Sequence, residues 1–71
     1  MDVIYNIGRY VGGEVCVEED GYSIIIRTSD NTSKENYDDL LDISNDIQRK
    51  FPEVDIKELW ADHDTQIIEF E

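Results

Sequence analysis

Residues 14–27 read Glu14-Val-Cys-Val-Glu-Glu-Asp-Gly-Tyr-Ser-Ile-Ile-Ile-Arg27, two strand-forming runs on either side of Asp20-Gly21. Valine and isoleucine favour strands because their branched side chains pack well on a pleated surface. Asp-Gly suits the positive φ values of a two-residue hairpin turn, so the stretch predicts a β-hairpin. With that turn Val17 faces Ile24, Val15 faces Ile26 and Glu14 faces Arg27, which sets two apolar pairs and one ion pair across the strands. Cys16 and Ile25 fall on the opposite face, expected to lie under a helix, the alternative being a small exposed patch usable by a partner.

On the N-terminal side, Val3, Ile4, Ile7, Tyr10 and Val11 are spaced by three and four residues between Asp2 and Gly12-Gly13. This predicts a short helix, and the Val-Ile-Tyr run offers a strand as the competing reading. On the C-terminal side, Ser29 to Ser33 is a polar connection, and Thr32 with Glu35 forms a capping box that opens a helix. Tyr37, Leu40, Leu41, Ile47 and Phe51 recur at helical spacing, Arg49 and Lys50 suit a negative C-terminal end, and Pro52 stops the helix, which is expected to run to about Lys50. Val54, Ile56 and Trp60, then Ile67, Ile68 and Phe70, flank Asp62-His63-Asp64 and predict a second hairpin, with Trp60 expected to anchor the core, the alternative being a partner-facing aromatic. A three-residue turn pairs Lys57 with Glu69 and Ile56 with Phe70, at the cost of setting Glu58 against Ile68. The order is α-β-β-α-β-β, an α+β domain with one antiparallel sheet and its helices packed on it. Strand order is not legible at this level.

A chain of 71 residues has room for a single domain, residues 1–71, with one small core. Hydrophobic residues make up 39%, regularly placed, which is too many for a disordered acidic tail. A single cysteine, Cys16, forms no internal disulfide and fits a reducing compartment, so a cytoplasmic location is expected, host-cell cytoplasm if the chain is phage-encoded. No apolar run approaches the ~20 residues of a membrane span, and the N-terminus lacks the basic start of a signal peptide. Eighteen acidic residues against six basic ones give a formal net charge of −12. Solubility of a small domain calls for about 2 to 8 units. Direct binding to nucleic acid or to an anionic membrane is disfavoured by that sign, and a basic protein partner is favoured.

The predicted second helix places the acids. At ~100° per residue, Glu35, Asp38, Asp39, Asp42 and Asp46 fall within an arc of about 100°, nearly opposite Tyr37, Leu40, Ser44, Ile47 and Phe51. The ridge rises about 16 Å, with carboxylates every ~4 Å on average. A nucleic-acid strand presents phosphates about every 3.4 Å, so the two linear charge densities are comparable. Like-charge neighbours at these spacings cost roughly 0.2 to 0.5 kcal/mol each at low salt, and a solvated helix face in an acid-rich chain is the ordinary alternative to a binding role. Glu18, Glu19 and Asp20 at the first turn and Asp62 and Asp64 at the second are candidate extensions, although turns favour aspartate for local reasons too.

No nucleophile and base pair, glycine-rich phosphate loop or other catalytic signature is present, and no enzyme activity is expected. Asp62-His63-Asp64 lacks the spacing and glycine of a calcium loop, and neither a metal nor a cofactor is expected. Asn31-Thr32-Ser33 matches a glycosylation sequon, with Thr32 better used as a helix cap.

In size, acidity, lone cysteine and the run Glu35, Asp38, Asp39, Asp42 and Asp46, the chain resembles phage-encoded anti-CRISPR and anti-restriction proteins of the DNA-mimic kind. The resemblance is one of class and carries no sequence motif. It implies a stoichiometric inhibitor that occupies the basic nucleic-acid-binding surface of a defence complex, its carboxylates meeting lysines and arginines that hold phosphates. Two alternatives stand beside it. One is an immunity protein or antitoxin capping a basic nuclease toxin. The other is a small homo-oligomeric or accessory module joined through apolar surface near Cys16, Ile25 or Trp60, its acids serving solubility. A monomer or a small homo-oligomer fits the chain equally.

Overall fold

The three-and-four spacing near the N-terminus forms helix α1, Asp2–Val11, because it gathers Ile4 and Ile7 on one buried face with Val3 and Val11 at its margins. Its end rules out the strand reading. Gly12 takes φ +73°, the left-handed conformation that costs a side chain most, and the Gly13 N–H closes on the Gly8 carbonyl at 2.8 Å in a Schellman-type stop. The computed structural model describes residues 2–29 and 31–71; Met1 and Asp30, the latter within the polar connection, lie outside the described residues.

The remaining elements are β1 Glu14–Glu18, β2 Gly21–Arg27, α2 Ser33–Lys50, β3 Ile56–Ala61 and β4 Thr65–Phe70. The order is the expected α-β-β-α-β-β, in an antiparallel sheet of spatial order β1-β2-β4-β3. The isoleucine-rich strands β2 and β4 take the centre. Glu14, Glu18, Lys57 and Glu58 lie on the two edge strands, where charge discourages pairing with other chains.

The first hairpin forms in a register different from the Asp-Gly expectation. Val15 faces Ile24, Val17 faces Tyr22 and Glu14 faces Ile25, a slide of two residues from the expected pairing, and the Glu14–Arg27 pair is not made. Among the described residues no non-glycine has positive φ, so Asp20 does not adopt the conformation that a type I′ turn demands. Glu19 and Asp20 form the tip, and Gly21, at φ +155°, opens β2. A Cβ on Gly21 would collide with the Phe70 carbonyl oxygen of β4, so the glycine serves close strand approach rather than the turn centre. Because side chains alternate with period two, the slide leaves every residue on its expected face. It moves Val17 to the sheet end, where it is exposed. Replacing Gly21 by alanine is expected to cost about 2 kcal/mol through that collision and the unusual φ, read as a lower urea midpoint.

The second hairpin resolves its own mismatch with a bulge. Ile56 faces Phe70 as expected, but a register shift at Lys57 sets Glu58 opposite Glu69 and Leu59 opposite Ile68, in place of the Lys57–Glu69 and Glu58–Ile68 pairs. One extra residue thus keeps Glu58 off the core and puts Leu59 on it.

Helix α2 begins with the capping box. The Thr32 hydroxyl accepts from the Glu35 N–H, and the Glu35 carboxylate accepts from the Thr32 N–H at 3.2 Å. At the other end the N–H of Phe51, ahead of Pro52, caps the Ile47 carbonyl at 2.7 Å. Leu40, Ser44 and Ile47 are buried, whereas Tyr37 and Leu41 sit beyond the stripe and are exposed; the buried residue of that turn is Asn36.

Both helices cover one face of the sheet. Ile4 and Ile7 of α1, Leu40 and Ile47 of α2, Ile24 and Ile26 of β2, and Ile68 and Phe70 of β4 belong to one core. The register places Cys16, Ile25, Trp60 and Ile67 on the opposite face, which neither helix covers. Two expectations are corrected here. Cys16 and Ile25 do not lie under a helix, and Trp60 is not a core anchor, being 49% exposed. Among the described residues both helices lie on one face of the sheet, and no helix or strand lies on the other.

Candidate functional site

The acidic ridge forms on α2, and its members differ in what they do. Glu35 is engaged in the capping box, where it also accepts from the Thr32 hydroxyl at 2.9 Å. Asp38 pairs with Lys34 at 3.1 Å, one turn earlier on an exposed surface, a pairing of small worth. Asp39 and Asp42 are exposed, with no side-chain hydrogen bond or ion pair to another described residue. Asp46 closes the ridge toward α1, accepting from the Tyr10 hydroxyl at 2.6 Å and from Arg49 at 2.9 Å.

The Tyr10–Asp46 bond is the most specific polar link between the helices. Tyr10 also stands edge-on to Phe51 at 5.9 Å, with the Lys50 ammonium over its ring at 5.1 Å. The donated hydroxyl, followed by Arg49, holds the Asp46 carboxyl below the usual aspartate range, and the same bond raises the Tyr10 phenol above its own. A depressed folded carboxylate stabilises the fold above its unfolded pKa and loses that effect as pH falls through the folded value; a raised phenol loses its effect as pH rises through its folded value. The contribution of the link is therefore full between about pH 4 and about pH 10 and declines outside that window. Tyr10→Phe is expected to flatten the acid-side loss of thermal stability below about pH 4 while leaving the loss caused by other carboxylates. Melting curves from pH 2 to 7 check this, and identical acid limbs in the two proteins would count against it.

The β3–β4 turn adjoins the start of the ridge. The Ser33 hydroxyl donates to the Asp62 carboxylate at 3.4 Å, and the Asn36 side-chain amide donates to the Asp62 carbonyl. The backbone N–H of His63 at 2.8 Å and its ring Nδ1 at 3.1 Å hold the Asp62 carboxyl below its usual range, and Asp64 lies 3.7 Å from the ring's Nε2. Among the described residues no three histidine, cysteine, aspartate or glutamate side chains form a group that could hold a metal ion.

Glu18, Glu19 and Asp20 sit elsewhere. The strand β2 separates the tips, because its Gly21 end pairs with Glu18 and its Arg27 end pairs with Thr65. The six residue steps from Gly21 to Arg27 put them roughly 20 Å apart along the sheet. The structure thus brings Asp62 to the Glu35 end of α2 and leaves the first hairpin tip at the far end of the sheet.

Sequence reasoning missed Asn36, and it held the open sheet face only as the alternative reading, an exposed patch near Cys16, Ile25 or Trp60. Asn36 carries no periodicity signal because a polar residue at a core position reads as a break in the stripe. The open face was signalled by alternation in β4, where Thr65, Ile67 and Glu69 interleave with the buried Gln66, Ile68 and Phe70. No helix of the described residues is long and apolar enough to cross a membrane. Compared with protein-family models, with curated proteins and with solved structures, the chain matches none, so the reading of its surface rests on the geometry above.

Proposed function

We propose that this protein binds the basic nucleic-acid-binding surface of another protein or complex and blocks it stoichiometrically, in the manner of the DNA-mimic anti-CRISPR and anti-restriction inhibitors. The observation that carries the reading is the exposed pair Asp39 and Asp42, carboxylates without internal cations at the centre of a ridge continued by Asp38 and by Asp46. Lysines and arginines arranged to hold phosphates meet these carboxylates with the same charge-assisted geometry. Binding of this kind is fast and weakens steeply with salt. An immunity protein against a basic nuclease toxin uses the same surface, and the identity of the recovered partner separates the two roles.

The test is recovery of a partner on the immobilised chain at low salt, followed by competition with duplex DNA and with single-stranded RNA. A nucleic-acid-binding protein that releases the chain when either competitor is added is the expected result. A partner that holds nucleic acid and the chain at the same time would sink the mimic reading.

A further inference from the structure

The face of the sheet turned away from the helices carries an apolar row that the fold itself leaves open. Ile25 of β2, Ile67 of β4 and Trp60 of β3 stand side by side across three neighbouring strands, with Ile25 opposite Ile67 and Ile67 opposite Trp60. None of the three belongs to the core or packs against it, and Trp60 is half exposed. Three strands at ~4.8 Å spacing give the row a length of roughly 10 Å, the width of one α-helix.

The same face is acidic around the row. Glu14 lies opposite Ile25 at one end, and Glu58 and Glu69 face each other directly one step along the strands. Glu18 extends the acidic side on β1, and Arg27 is the basic residue on this face of β2. Like charges directly opposite on adjacent strands repel, and an incoming cation would relieve that repulsion. A second copy of this chain brings the same glutamates to the contact and is disfavoured by charge. An anionic bilayer is disfavoured for the same reason.

We propose that this face docks a cationic amphipathic helix of a partner protein, whose apolar residues cover Ile25, Ile67 and Trp60 and whose lysines or arginines meet Glu14, Glu58 and Glu69. Such a helix combines an apolar stripe with flanking positive charge, complementary to both features of the face. Trp60 supplies the large amphipathic anchor that interfaces favour. The surface is separate from the α2 ridge, so the proposal stands whether or not the ridge binds a nucleic-acid-binding surface.

Trp60 is the single tryptophan of the chain and reports the event directly. The probe is a synthetic helical peptide of leucine and lysine with leucines at i, i+3, i+4 and i+7. Titration is expected to shift the tryptophan emission to the blue and to saturate at one peptide per chain. Ile67→Lys is expected to weaken the peptide about tenfold or more, and Ile25→Ser, a milder change in the same row, serves if the first variant fails to fold. The double reversal Asp39→Lys with Asp42→Lys, on the other face, is expected to leave affinity within about threefold, which separates this surface from the ridge. Equal binding of a scrambled peptide of the same composition would overturn the proposal, because it would reduce the effect to general charge attraction. So would sedimentation of the chain alone as a dimer that Ile67→Lys dissociates, which would assign the face to a second copy.

Discussion

Asn36→Asp is expected to destabilise the fold by about 3 to 5 kcal/mol at neutral pH, because it puts a charge in a buried site and sets it against a carbonyl oxygen that the amide had been donating to. Asn36 is fully buried near the start of α2, and every polar group it has is in use. Its side-chain amide donates to the Thr28 hydroxyl at 2.9 Å and to the Asp62 carbonyl, and its side-chain oxygen accepts from Asn31 at 3.2 Å. Its backbone carbonyl accepts from Gln66 at 3.0 Å, and Gln66 is itself almost wholly buried. One residue thus ties the helix start to the β2–α2 connection, to the β3–β4 turn and to the central strand β4. An aspartate keeps the shape but turns a two-proton donor into an acceptor facing a carbonyl oxygen, which cannot reverse its role. Domains of this size have total stabilities of only ~4 to 11 kcal/mol, so the change consumes a large share.

The pH dependence of that loss identifies its cause. A carboxyl buried against a carbonyl favours its neutral form, so the penalty is fully present above the folded pKa and shrinks as pH falls and the group is protonated. Urea unfolding at pH 7 and pH 4 is expected to show the gap between wild type and Asn36→Asp narrowing at the lower pH. Asn36→Leu removes the two donated hydrogen bonds and also the one accepted from Asn31, without adding a charge, and is expected to cost about 2 to 3 kcal/mol with little pH dependence. If both variants lose the same amount at both pH values, the network contributes through shape and not through its donors.

Elements set by local chemistry were legible in the sequence. Thr32 and Glu35 cap α2 within four residues of chain, and the three-and-four spacing before Gly12 needs only α1 to express it. What depends on partners distant in sequence was not. The first hairpin slid by two residues because Gly21 answers to the Phe70 carbonyl, nearly fifty residues away, and not to its neighbour Asp20 alone. Trp60 reads as a core residue by size and hydrophobicity, yet the bulge at Lys57 sets the parity of β3 and turns it outward. Of the ridge, the positions were legible and the occupancies were not. That Asp46 is held by Tyr10 follows from the way α1 is placed, which no spacing within α2 encodes. The five carboxylates therefore reduce to a free centre, Asp39 and Asp42, flanked by acids with internal partners.

That free centre directs the second large effect. Asp39→Lys with Asp42→Lys is expected to weaken capture of a basic partner at least about a hundredfold, since close interfacial charge pairs couple by ~1.5 to 7 kcal/mol and each 1.4 kcal/mol is tenfold. The same change should raise helix stability slightly. Lysine at 39 stands one turn after Glu35, and lysine at 42 stands between Asp38 and Asp46, so repulsive neighbours become attractive ones worth roughly 0.2 to 0.5 kcal/mol each. Lost binding with an unchanged or higher melting temperature cannot be ascribed to unfolding. Each reversal adds two units, so the pair moves the net charge from −12 to −8. Glu18→Lys with Asp20→Lys makes the same change at the far hairpin tip, roughly 20 Å along the sheet from the β3–β4 turn. Measured at matched salt, the tip variant is expected to keep affinity within about tenfold of wild type, through slower association alone. Equal loss in the two variants would mean that total charge draws the partner and that the ridge confers no site, whereas a large loss confined to Asp39 and Asp42 assigns the contact to the outer face of α2.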